Sequence, residues 1–355
     1  MNKRVEKVLH EMRRQRLGEL VICDSQSIWY LTGISVGAGE RMLVYLLKED
    51  GEQILFANRL FNVPETPFET VWFDDTDDSV GLLVRYIDED KTCGIDKDWP
   101  ARFLIPLLEK IPHLKVKLGS DCVDNVRAVK DEVEIEFMKE ASRINDIVIE
   151  KARDYIREGI TEKEVARYID QLYLDMGCEG NSFPSIVSFG ANAADPHHMP
   201  DDTVVKSGDV VLIDIGCQKN RYCSDMTRTF FFRETSEKQK QVHDIVRRAN
   251  EYAESIIKPG VRLCDIDKAA RDIISAEGYG EYFTHRLGHF IGQSDHEKGD
   301  VSSANHNTVE PGMIFSIEPG IYLKGEFGVR IEDLVLVTEE GCEVLNKVDK
   351  KYRIL

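Results

Sequence analysis

The sequence predicts an α/β (α+β) protein of two domains: a small α/β domain over residues 1–127, then a larger domain over 128–355 in which antiparallel sheet is flanked by helices. Three observations predict it. Short apolar runs alternate with helical spacing through the first third, and a long charged helical stretch begins near Asn125. Beyond it, two pairs of apolar, β-branched segments, each split by a polar turn, read as β-hairpins. At 355 residues the chain also exceeds one domain of roughly 100–200 residues.

In order along the chain, ELVICD (19–24) and SIWYLTG (27–33) are strand-like apolar runs. MLVYLLKEDGEQILFA (42–57) reads as a hairpin turning near Asp50-Gly51, and ARFLIPLLEKI (101–111) has helical spacing. The glycines of SVGAGE (35–40) do not make a phosphate loop, because a strand rather than a helix follows them. The stretch from Val126 to Gly159 repeats apolar residues every three to four positions (Val133, Ile135, Met138, Ala141, Ile144, Ile147, Val148) and opens the second domain. Gly159 stops that helix, and Thr161 with Glu164 forms a capping box that starts the next. Helices and paired strands then alternate to the end, with a hint of internal duplication in the two hairpins.

Composition narrows the function classes. Charged residues make up 31% and hydrophobic ones 42%, as in a soluble globular protein. Net charge is −18 with no basic stripe, which argues against a nucleic-acid partner. The longest apolar runs are strand-sized, far below the ~20 residues that span a bilayer. The charged amino terminus has no secretory apolar run, and eight cysteines without a CxxC pair read as reduced thiols, so a cytoplasmic protein is expected.

The chemistry lies in the hairpins. VVLIDIGC (210–217) and YCSDMTRTFFF (222–232) flank Gln218-Lys219-Asn220-Arg221. A turn centred between Lys219 and Asn220 puts Asp214 directly opposite Asp225. MIFSIEPGIYL (313–323) and GVRIEDLVLV (328–337) flank Lys324-Gly325-Glu326, and a turn centred on Gly325 puts Glu318 opposite Glu332. Opposed residues have Cβ atoms about 4.5–5.5 Å apart, and like charges there destabilise the sheet unless a cation lies between them. Two divalent ions neutralise four carboxylates, the arrangement of two-metal hydrolysis. Seven of nine histidines follow residue 190. Among them His285, His289 and His296 offer a nitrogen ligand from a bent segment, and His197 and His198 fit the rim of the same site.

The segments SFGANAADPHHMP, VVLIDIGCQKNRYCSDMTRTF, HRLGHFIGQSDHE, SIEPG and VRIED resemble, in order and spacing, the creatinase/prolidase/methionine aminopeptidase superfamily of dinuclear metallopeptidases. The resemblance covers roughly residues 125–355, and the first third resembles the small amino-terminal domain of prolidases, aminopeptidases P and creatinases. It implies a creatinase-type domain followed by a pita-bread catalytic domain. It further implies that Asp214 binds one metal, that His289 and Glu318 bind the other, and that Asp225 and Glu332 bridge them. His197, His285 and His296 would orient the peptide and stabilise the tetrahedral intermediate, Glu318 would shuttle a proton to the leaving nitrogen, and Arg330 would support the site. An oxygen-rich set with one imidazole favours two Mn(2+) ions, with Co(2+) or Zn(2+) able to substitute.

The implied activity is hydrolysis, by a metal-activated hydroxide, of the bond before proline, and the implied assembly is a homodimer. The alternatives within the resemblance are an Xaa-Pro dipeptidase (prolidase) and an aminopeptidase P acting on longer peptides; a metal-free creatinase-like hydrolase and an inactive binding module are the others, against which the intact ligand set argues. Two departures stand out: Lys298-Gly299-Asp300 follows His296-Glu297 where some prolidases have proline and arginine, and Phe290 follows His289 where glycine is frequent. Asp300 is expected to repel a substrate carboxylate and Phe290 to narrow the pocket.

Overall fold

The structure is a computed structural model that describes residues 2–355. The chain divides into two compact units, Met1–Arg127 and Ala128–Leu355. In the first, strands β1 (Glu19–Ile22), β2 (Val44–Lys48), β3 (Gln53–Asn58), β4 (Glu69–Phe73), β5 (Thr92–Ile95) and β6 (Lys115–Leu118) form one mixed sheet in the order β4-β3-β2-β1-β5-β6. The β2–β3 hairpin turns about Asp50, with Leu47 opposite Gln53 and Gly51 at φ 94°, where the sequence predicts it. Helices α1 (Lys3–Gln15), α2 (Ser25–Thr32), α3 (Ser79–Val84), α4 (Ala101–Lys110) and α5 (Asp121–Ala128) complete it. The run SIWYLTG is α2 rather than a strand. The Asp24 carboxylate accepts from the Gln26 and Ser27 amides, and Gly33 at φ 77° ends the turn, so local capping outweighs the β-branched and aromatic content.

The long helix expected from Val126 is two helices. Between α5 and α6 (Glu132–Tyr155) the chain is extended at Val129, which bridges to Met313, and the Lys130 amide donates to Gly312 O. Asp131 then starts α6 with a capping box to Glu134. The box predicted at Thr161 and Glu164 caps α7 (Glu162–Asp175).

The rest of the second unit has two similar halves. Strands β7 (Gly180–Asn181), β8 (Ile186–Phe189), β9 (Val210–Ile215), β10 (Cys217–Lys219), β11 (Tyr222–Cys223) and β12 (Met226–Phe231) form sheets ordered β12-β9-β8 and β11-β10-β7. Helices α8 (Glu237–Ser255) and α9 (Leu263–Ala276) precede β13 (Gly288–Phe290), β14 (Glu297–Val301), β15 (Ile314–Ile317), β16 (Gly320–Leu323), β17 (Phe327–Arg330), β18 (Asp333–Val337) and β19 (Cys342–Val344). These make the sheet β14-β13-β15-β18-β19 and the hairpin β16-β17.

Each half-sheet buries one face under its own helix pair. Val148, Ile169 and Ile213 meet in one core, and Val246, Ile274 and Phe315 in the other. A buried asparagine on each long helix donates to the carbonyl where a strand ladder breaks: Asn145 to Ile215 O and Asn250 to Ile317 O, both at 2.8 Å. A buried carbonyl without a ladder partner needs such a donor. The two breaks fall beside Asp214, which stays paired with Ile186 and Thr227, and Glu318, which lies outside the ladder.

Candidate metal centre

The first acid hairpin turns one position later than predicted. Asn220 (φ 51°) and Arg221 (φ 66°) are both left-handed and form a two-residue loop between Lys219 and Tyr222. Such a loop matches the strand twist and is the favoured hairpin connection. Asp214 therefore faces Thr227, not Asp225. The displacement is two residues along the ladder, an even number, so Asp225 keeps the same side of the sheet and lines the same cavity as Asp214. The second hairpin holds its predicted register on both flanks of the acids. Gly320 pairs with Arg330 on one side and Ile317 with Asp333 on the other. Glu318 and Glu332 lie between these ladders, and their amides bond outward, Glu318 N to Leu287 O (2.8 Å) and Glu332 N to Thr227 O (3.1 Å).

The side chains converge on His289. Its Nε2 lies 3.5 Å from both Asp225 Oδ2 and Glu318 Oε1. Ligand atoms of Asp225, His289 and Glu332 all fall within 4.8 Å of one another. His289 Nδ1 faces Phe290 O at 3.2 Å, which makes Nδ1 the donor and leaves the Nε2 lone pair toward the acids. Ser316 Oγ accepts from His289 N (3.0 Å) and donates to Glu318 Oε1 (3.2 Å). Gly288 is required here, because a Cβ would sit 1.9 Å from Ser316 O.

Among the described residues, the cation at the floor is Arg330, 3% exposed. It binds Asp214 through Nη2, Thr227 Oγ1 through Nε (3.0 Å) and Tyr322 Oη through Nη1 (2.9 Å). Thr227 Oγ1 in turn donates to Glu332 Oε2 at 2.7 Å. One guanidinium against four carboxylates leaves a surplus of negative charge in a buried place. Burial, followed by repulsion from Asp214, drives the Asp225 carboxyl well above its ordinary range. Burial and then Asp225 do the same to Glu332, and burial lifts Glu318 to about 7. Asp214 Oδ1 and Asp225 Oδ1 are buried with no hydrogen-bond partner among the described residues. Orphaned acceptors, surplus charge and an aimed imidazole fit divalent cations held by Asp214, Asp225, His289, Glu318 and Glu332.

The floor opens into a cavity of about 760 Å³, with Phe183, Ile186 and Met199 on its apolar side. His197, His285 and His296 all line it. His285 lies between Tyr322 Oη (Nε2, 2.9 Å) and Arg286 O (Nδ1, 2.7 Å), and burial pushes its pKa down to about 4. The His296 ring stands 3.9 Å from that of His289 and is likewise lowered to about 4, by burial first and His289 second. His198 departs from expectation. It turns away from the cavity, and its Nε2 sits 2.7 Å from Glu162 Oε2. Glu162, fully buried, also accepts from the Phe189 and Asp201 amides and pins the loop that carries His197.

Phe290 does not narrow the pocket. It alternates with His289 onto the opposite face and packs on Phe315 in the core, ring centroids 5.4 Å apart. Asp300 is opposite His289 on β14, accepts from Ser302 Oγ (2.8 Å), and is not among the residues lining the cavity. Four contributors escaped the sequence reading: Thr227, Tyr322, Arg286 and Asp295. Tyr322 was accessible to it, since positions 318, 320 and 322 share a face with 328, 330 and 332. The missing side chain of Gly320 lets the Tyr322 hydroxyl lie across to Arg330.

Arg330→Lys keeps the charge but loses the fork that joins Asp214, Thr227 and Tyr322. A loss of roughly 10- to 100-fold in metal affinity is expected, the range for residues that orient ligands. Metal titration by calorimetry tests it, and unchanged affinity would show that Arg330 does not order the acids.

Residues 136–339 match the model of metallopeptidase family M24, and residues 4–129 that of the creatinase/prolidase N-terminal domain. An uncharacterized peptidase of Staphylococcus aureus (strain MSSA476) is 39% identical, over 98% of this chain and 99% of its own. Among solved structures, a dipeptidase from Pyrococcus horikoshii OT3 is 32% identical with a TM-score of 0.92, covering 99% of this chain and 100% of that one. A prolidase from Thermococcus sibiricus is 33% identical with a TM-score of 0.92, covering 100% of both chains. An X-Pro aminopeptidase from Thermotoga maritima MSB8 is 32% identical with a TM-score of 0.82, covering 97% of this chain and 100% of that one. With buried carboxylates and an imidazole gathered on strands of the matching segment, the chain belongs to metallopeptidase family M24 and carries a creatinase/prolidase N-terminal domain.

Proposed function

We propose that the protein is a dinuclear Xaa-Pro dipeptidase that hydrolyses the bond before proline. The observation that carries the hydrolytic reading is the buried cluster of four acids and His289, with two orphaned oxygens, at the floor of the cavity. Similarity to the dipeptidase and the prolidase supports the substrate class. An Xaa-Pro bond is a tertiary amide without an N–H, so a peptidase that holds substrate by strand pairing is poorly suited to it. Asp214 would hold one ion, His289 and Glu318 the other, with Asp225 and Glu332 shared; the hard donor set favours manganese. When bound, such ions polarise the scissile carbonyl and acidify a water.

The protein's own groups do the rest. The Glu318 carboxylate, beside His289 at the cavity floor, would carry a proton to the proline nitrogen as it leaves. His197, His285 and His296 face the cavity on the substrate side. The last two are held neutral by burial and add no charge. His296 has a ring N–H to offer the substrate, whereas His285 gives its N–H to Arg286 O and accepts from Tyr322 Oη. Arg330 keeps Asp214 oriented. A homodimer in the cytoplasm completes the proposal.

The X-Pro aminopeptidase, similar over its full length, favours a second reading in which longer Xaa-Pro peptides are cut. Manganese-loaded protein incubated with Leu-Pro and with Leu-Pro-Pro separates the two. Faster cleavage of the dipeptide is expected; faster cleavage of the tripeptide would replace the dipeptidase reading with the aminopeptidase one, and cleavage of neither would defeat both.

A further inference from the structure

The cavity lining carries two arginines, and they differ in commitment. Arg330 is buried and fully engaged by Asp214, Thr227 and Tyr322. Arg286 is exposed, and among the described residues its guanidinium makes no hydrogen bond or ion pair. Its backbone is nonetheless fixed on both sides. The Arg286 carbonyl accepts from His285 Nδ1 (2.7 Å), and the next amide, Leu287 N, donates to Val301 O (2.9 Å) and Asp267 Oδ1 (3.2 Å). A free cation thus stands on an immobilised segment three residues before His289. With His285 and His296 it lines the cavity.

The rest of the lining is acidic or neutral, and Asp295, also without a partner among the described residues, has the wrong sign for an anion. In a dipeptide the terminal carboxylate lies a single residue, about 3.8 Å of chain, past the cleaved bond. It must therefore lie inside the same cavity, beside the acid cluster. Of the two arginines in the lining, Arg330 is engaged and Arg286 alone is uncommitted among the described residues.

We propose that Arg286 binds the free carboxylate of the substrate's C-terminal residue and thereby sets the preference for dipeptides. This rests on the Xaa-Pro reading and deepens it. A guanidinium pairs with a carboxylate through two parallel N–H···O bonds, geometry that an amide or a continuing chain cannot reproduce. The same contact makes dispensable any cation at the 298–300 segment, where Asp300 stands.

The test compares kcat/KM for Leu-Pro and for Leu-Pro amide, which differ at the carboxylate alone, in metal-loaded wild type, Arg286→Gln and Arg286→Lys. Wild type is expected to favour the acid by roughly 10- to 100-fold, the range for a hydrogen bond to a charged group. The ratio should fall toward one in Arg286→Gln and lie between in Arg286→Lys. A wild-type ratio near one, which needs no variant to measure, overturns the assignment. So does an unchanged ratio in Arg286→Gln, or an equal loss on both substrates. Hydrolysis of neither by wild type would overturn the Xaa-Pro reading itself, and this inference with it.

Discussion

Asp225→Asn is expected to abolish hydrolysis and to lower bound metal below two ions per chain. The residue is 4% exposed, its Oδ2 is 3.5 Å from His289 Nε2, and its Oδ1 has no partner among the described residues. Asparagine keeps the volume and removes the charge, so packing is spared and the effect reports on the electrostatics. A loss well beyond the ~100-fold that an orienting residue costs is anticipated, because a shared ligand serves both ions. A second readout runs the other way. Without metal, the variant should melt higher than metal-free wild type, since a buried carboxyl repelled by Asp214 has been neutralised. Elemental analysis, kcat/KM and thermal unfolding of chelated protein measure all three. Full activity with two metals per chain would remove Asp225 from the shared position.

The metal-free protein should lose stability as pH rises through neutrality. Folded, Glu318 holds its proton to about pH 7, against about 4.3 in an unfolded chain. A carboxyl raised in the folded state contributes stability that is whole below its unfolded value and disappears as pH climbs past the folded one. For Glu318 alone the difference approaches about 4 kcal/mol by pH 8. Asp225 and Glu332 are raised as well and add in the same direction. Glu19 and Glu254, lifted by burial to about 7, slope the same way, and His285 and His296, lowered to about 4, slope oppositely between pH 4 and 6.5.

The decisive quantity is therefore the gap between metal-loaded and chelated protein at each pH. Groups outside the acid cluster affect both forms and drop out of it. The gap in melting temperature should widen from pH 5 to pH 8, as ions replace protons on the carboxylates. A constant gap across that range would mean that the four acids do not share the cations.

The hairpins show how far local pattern carries. The β16–β17 register was legible because Gly325, at φ 81°, marks the turn and the apolar runs on either side are equally long. The β10–β11 register was not, because four consecutive polar residues allow two turn positions. Asn220 and Arg221 won by adopting left-handed backbone, which arginine seldom does. The error cost nothing at the site, since a two-residue displacement preserves the face. The break between α5 and α6 was hidden for a different reason. Val129 and Lys130 have helical neighbours, and only their pairing with Met313 and Gly312, far along the chain, draws them into an extended bridge.

Period, turn chemistry and capping are interactions among near neighbours, so the sequence by itself determined the α/β character of the first unit and the paired, acid-bearing strands of the second. Which side chains serve that cluster was decided by the tertiary structure alone. His197 and His198 are adjacent and alike in sequence, yet one lines the cavity and the other is bound by Glu162, some 36 residues away. Phe290 left the pocket because the β13 pleat and Phe315 took it into the core. Arg330 was committed and Arg286 left free by partners that approach only on folding. These outcomes depend on contacts between distant segments, whose geometry no local pattern encodes.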